Sequence, residues 1–164
     1  MAAWPRLAAA VALAIAAGPA FAQQSGSAQP ALAYPQIVSA AQDCLDSYKG
    51  LAVDQKQLKK RGWVKATLEG FGNLGGIITA IVRGDGAVML VTRYSCIVKT
   101  RLTSTTSVEG LAAAISENWG AQPTPGADGH LAWLLPERKF ELTPGPSDGS
   151  NVNLTISLRL AEVG

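Results

Sequence analysis

Hydrophobic positions recur at helical spacing in some stretches of the chain and alternate with polar ones in others. Ile37, Val38, Ala41, Cys44, Leu45 and Tyr48 repeat every three or four residues. This spacing predicts an amphipathic helix that starts around Pro35, a residue suited to a helix first turn, and stops at Gly50. Cys44 lies on its inward stripe, whereas Asp43 and Asp46, three residues apart, are expected on a solvated face. A second, shorter helix is predicted from Asp54 as N-cap to Arg61, with Leu58 inward, Lys56, Lys59 and Lys60 outward, and a Gly62-Trp63 break behind it. Thr106-Ser107-Val108-Glu109 reads as a capping box, and Val108, Leu111, Ala112, Ile115 and Trp119 then repeat helically as far as Gly120.

Elsewhere the period is two. Residues 63–69 predict a short strand, and Asp85-Gly86, between the apolar, β-branched runs 77–83 and 87–93, predicts a hairpin. Val88, Leu90, Thr92, Tyr94, Cys96, Val98, Thr100 and Leu102 keep one parity with no Gly, Pro, Asn or Asp between them. That pattern predicts one long strand, bent or bulged, with those residues on its core face. Residues 122–129, with two Pro and two Gly, predict a loop; Leu131–Leu135 predicts a strand interrupted by Pro136 and continued by Phe140 and Leu142, and 144–150 a turn-rich loop. Val152, Leu154, Ile156, Leu158 and Leu160 alternate as in a one-sided antiparallel strand. The expected class is α+β: an antiparallel sheet of four to five strands, two to three helices packed on one face, and one disulfide.

Ahead of the first helix the pattern changes character. Arg6 precedes the apolar run 7–17, a Gly18-Pro19 break and Ala20-Phe21-Ala22, which together read as a secretory signal peptide over 1–22, cleaved after Ala22. Such a run is too short to span a ~30 Å hydrocarbon core, so no transmembrane anchor is expected. Residues 23–34 read as a flexible leader, and 35–164 as a single α+β domain. The expected location is periplasmic or secreted. Cys44 and Cys96 are the only thiols. In an oxidising compartment they are expected to pair, and they lack the C-x-x-C spacing of a redox couple.

The 164 residues, 48% hydrophobic and 16% charged, suit one ordinary domain. Removing Arg6 from the 14 basic residues leaves 13 against 12 acidic ones, too even for a dedicated nucleic-acid binder. The charges are unevenly placed. Lys56, Lys59, Lys60, Arg61, Lys65, Arg93, Lys99 and Arg101 crowd the first half of the domain and are the candidate anion-binding residues. Within 56–65 only Trp63 could stack a base, which argues further against nucleic acid. An acidic protein or an anionic envelope polymer or lipid is the expected partner.

Catalytic chemistry finds little purchase. His130 is the sole imidazole, with neither a second His for a metal nor a G-x-S-x-G elbow to activate. It is expected to be a loop residue. Glu137 and Glu141, like Asp43 and Asp46, have no partner that would split their pKa values. Gly70-Phe71-Gly72-Asn73-Leu74-Gly75 matches G-x-G-x-x-G but leads into a β-type run instead of a helix, so it reads as a glycine-permitted loop and no cofactor is expected. Asn153-Leu154-Thr155 matches a glycosylation tripeptide inside a predicted strand and is discounted. The function expected is a secreted or periplasmic, non-catalytic binding or accessory module of the cell envelope. A small secreted hydrolase around His130 and a structural homo-oligomeric subunit are the alternatives.

Overall fold

The computed structural model describes residues 31–49, 52–66, 78–102, 107–136, 138–147 and 152–160. The signal peptide, most of the leader, the Gly70 to Gly75 motif, Thr106 and Glu137 lie outside these residues. In chain order the elements are α1 (Tyr34–Asp46), β1 (Tyr48–Lys49), β2 (Ala52–Val53), α2 (Gln55–Lys60), β3 (Val64–Lys65), β4 (Thr79–Val82), β5 (Val88–Val91), β6 (Cys96–Leu102), α3 (Val108–Trp119), β7 (Thr124–Pro125), β8 (Leu131–Leu135), β9 (Arg138–Ser147) and β10 (Val152–Leu160). The class is α+β. Apart from the small β1-β2 pair, the strands form one antiparallel sheet of eight, in the order β3-β4-β5-β6-β10-β9-β8-β7, larger than the four to five strands expected. No helix among the described residues is long and apolar enough to cross a membrane.

The predicted long strand is two strands. Thr92 builds the turn between β5 and β6: its Oγ1 accepts from the backbone N–H of Tyr94 at 3.1 Å and of Ser95 at 2.9 Å, while its own N–H donates to the Ser95 carbonyl at 2.8 Å. A hydroxyl thus does what Gly or Asn usually does. The register pairs Met89 with Val98 and Val91 with Cys96, so the odd residues of β5 share a face with the even residues of β6. Val88 and Leu90, expected on the core face, lie on the opposite one.

Other boundaries also differ from expectation. Packing begins before Pro35: Ala31 bridges to Arg101, Leu32 is buried, and the Tyr34 hydroxyl donates to the Ser107 carbonyl at 2.9 Å and accepts from the Ser107 N–H at 2.6 Å. α1 ends at Asp46, because Tyr48 leaves the helix to pair with Val53. β9 runs on through Pro144, Gly145 and Pro146; its last pair with β8 is Leu142 with Leu131, so beyond that point one side of the strand is an edge, where proline is tolerated. In α3 the N-cap is Ser107, whose hydroxyl accepts from the Gly110 N–H at 2.9 Å, and Gly120 closes the helix at φ 64°.

α1, α2 and α3 all cover one face of the sheet. Ile37, Ala40, Ala41 and Cys44 of α1, Leu58 of α2 and Leu111 and Ile115 of α3 form one core with Ile81, Met89, Val91, Val98, Trp133, Phe140 and Leu142. The Cys44–Cys96 disulfide, with Cα atoms 6.0 Å apart, joins α1 to the start of β6 through this core.

Candidate functional site

Asp43, expected in solvent, is buried, and it organises the corner where α1, α2 and the β4-β5 hairpin meet. Its Oδ1 accepts from Arg61 Nη1 at 2.7 Å, and its Oδ2 from Arg83 Nη1 at 2.6 Å and Trp63 Nε1 at 2.9 Å. Arg61 also reaches Asp46 at 2.8 Å, and Arg83 reaches Asp85 at 2.7 Å and the Gln36 carbonyl at 3.1 Å. The Arg83 guanidinium lies over the Trp63 ring, 5.1 Å from its centroid. The hydrogen bond to Asp43 raises the Arg61 pKa above its ordinary value. Burial opposes the charge on Arg83, but Asp85 and then Asp43 outweigh it and also leave that guanidinium raised. The hydrogen bond from Arg83 holds the Asp85 carboxyl below the usual carboxylate range. The consequence is mechanical: the indole of Trp63 is fixed by a hydrogen bond at one edge and a cation on one face.

Beside this fixed ring lies a cavity of about 420 Å³. Leu58, Trp63, Ile81 and Val91, all nearly shielded from solvent, form its floor, and Lys56, Lys59 and Lys65 stand around it with Gln55 and Val64. α2 presents Lys56 and Lys59 on one side because Asp54 caps it, accepting from the N–H groups of Lys56 at 2.9 Å and Gln57 at 3.2 Å. Lys49 reaches Asp54 at 2.7 Å, and this contact above all lowers the Asp54 pKa. Lys65 arrives by another route, as the residue of β3 that pairs with Ile81. Lys56, Lys59, Lys60 and Lys65 are exposed, and none forms an ion pair with an acid among the described residues.

The other candidates do not join them. Arg61 is engaged by two carboxylates, and Arg93 lies over the Tyr94 ring at 5.3 Å beside the β5-β6 turn. Lys99 and Arg101 alternate along β6 with the buried Cys96, Val98, Thr100 and Leu102, and so belong to the sheet face away from α2. The eight basic residues therefore divide between two sides of the molecule. His130 is exposed after a short 3-10 turn, with Nδ1 3.2 Å from Thr143 Oγ1, and Glu141 pairs with Lys139 at 2.7 Å. Among the described residues no group of three His, Cys, Asp or Glu side chains could hold a metal ion. A second cavity, of about 570 Å³, runs between α1 and α3 past Tyr34, Val38, Gln42 and Asn118. Comparison with known protein families, curated proteins and solved structures finds no match.

Proposed function

We propose that the chain is an exported, non-catalytic binding module of the cell envelope, and that the α2-β3 corner is its contact surface for an anionic envelope component. The observation that carries this reading is the grouping of Lys56, Lys59 and Lys65 around one cavity, with no acid among the described residues that line it. Like charges grouped around one cavity add their fields, and with no acidic partner among the described residues they suit an external anion. The Cys44–Cys96 bridge supports an oxidising destination.

Vesicle sedimentation tests the reading. The full exported chain should bind vesicles of phosphatidylglycerol and phosphatidylcholine more strongly than phosphatidylcholine alone, and salt should weaken that binding. Reversing Lys56, Lys59 and Lys65 to Glu should abolish the preference, whereas reversing Lys99 and Arg101 should leave most of it. Equal sedimentation of the wild type and the Lys56/Lys59/Lys65 reversal at low salt would overturn the assignment of this corner.

A further inference from the structure

We infer that the cavity beside α2 takes the alkyl tail of a single-chain anionic amphiphile, whose carboxylate or phosphate head rests on Lys56, Lys59 and Lys65. The inference depends on the binding-module reading above and narrows its ligand. Three observations lead to it.

The first is size. A volume of about 420 Å³ is near the lower end of small-molecule sites. The floor residues Leu58, Trp63, Ile81 and Val91 are each at most 8% exposed. The remaining walls among the described residues are Gln55, the three lysines and Val64, which is 56% exposed. Such a space admits one narrow chain.

The second observation is the division of chemistry within the site. Apolar side chains lie at the bottom and three ammonium groups are carried by the wall residues, so a ligand must be apolar at one end and negative at the other. Among the described residues no Asp or Glu lines the cavity to attract a cationic head. Lysines, as compact charges on flexible stems, suit a small anionic head without demanding the planar fork geometry of arginine.

The third is rigidity. Trp63 cannot easily swing to fill the space, because Asp43 holds its Nε1 at 2.9 Å and Arg83 covers its face. A cavity that Trp63 is held from filling spares the ligand the cost of displacing that ring.

Titration calorimetry of the full exported chain with free amphiphiles, below the concentrations at which they form micelles, tests the inference. Decanoate and decyl phosphate should each bind one to one, and their relative affinities tell the two head groups apart. From hexanoate to decanoate the affinity should climb roughly fourfold per methylene, the fold-change that burial of one CH₂ gives. Decanol and decyltrimethylammonium should bind at least tenfold more weakly than decanoate. Lys56→Gln, Lys59→Gln and Lys65→Gln together should lower decanoate affinity at least tenfold without weakening decanol. Val64→Asp, a change at an exposed wall position, should repel decanoate while leaving the fold intact by circular dichroism. Affinity independent of chain length, or decanol binding as tightly as decanoate, would overturn the inference. Retained vesicle binding with no decanoate or decyl phosphate binding would overturn it too, while leaving the broader binding reading in place.

Discussion

Asp43→Asn removes one charge from the buried residue that ties α1 to Arg61, Trp63 and Arg83, and keeps the side chain's shape. The carboxylate accepts from two guanidinium groups and one indole. Deleting one partner of a buried pair generally costs about 3 to 5 kcal/mol. Here the loss is smaller, because Arg61 retains Asp46 and Arg83 retains Asp85, and because the Arg61 side chain is 34% exposed. The amide also turns an NH₂ toward one of the arginines, replacing an acceptor by a donor. A net loss of about 2 to 3 kcal/mol follows, or a melting temperature lower by roughly 5 to 12 °C for a domain of this size. Urea unfolding followed by circular dichroism measures it, with Asp46→Asn as the control. The Asp46 side chain is 34% exposed and accepts from Arg61 and from Gln42, so its loss should cost less than about 1 kcal/mol. The reasoning fails if Asp43→Asn lies within about 0.5 kcal/mol of wild type, or if the two variants unfold together. A retained fold with a shifted near-ultraviolet spectrum, from a released Trp63, should accompany the loss.

Gly110→Ala should destabilise the chain even though alanine is the better helix former by about 1 kcal/mol, because an added Cβ would collide with the ring and hydroxyl of Tyr34. Thermal melts of Gly110→Ala with and without Tyr34→Ala check this, the second change relieving the first. Burial pushes the Tyr48 hydroxyl up to about 12, against about 10 in an unfolded chain. The folded state therefore keeps a proton that the unfolded state has lost between these values, and stability should fall as pH rises across that window. Tyr48→Phe should flatten that part of the profile, read from urea midpoints at successive pH values. Replacing Cys44 and Cys96 by Ala should cost about 4 kcal/mol, the entropy of closing a loop of this length, measured by urea unfolding of both proteins.

Much of the fold was legible because single residues carried its signals. The stripe of Ile37, Ala41 and Cys44, the turn at Asp85-Gly86, the cap at Asp54 and the alternation ending at Leu160 each depend on neighbours a few positions away. The β5-β6 turn was hidden because Thr92 and Ser95 are ordinary strand residues, and their hydroxyl bonds exist only once the chain has turned. Asp43 was misread for a related reason: its partners Arg61, Trp63 and Arg83 follow it by 18, 20 and 40 residues, and nothing in α1 announces them. Lys56 and Lys59 were visible as one polar side of a helix. Their meeting with Lys65 over Trp63 and Ile81 required the pairing of β3 with β4, which two residues of strand could not advertise.

The place of β10 carries a consequence for how the protein comes into being. β10, the last strand among the described residues, is inserted between β6 and β9, pairing Val152 with Leu102 and Leu158 with both Cys96 and Phe140. The two halves of the sheet therefore have no ladder between them until the final strand has emerged from the ribosome. A growing chain can build local hairpins but cannot close its sheet early, and pairing strands so distant in sequence is intrinsically slow. Under the export proposed above, late closure would keep the chain open while it crosses a membrane. It also makes β10 indispensable: losing it would bare the inner edges of β6 and β9 and leave two half-sheets prone to aggregate.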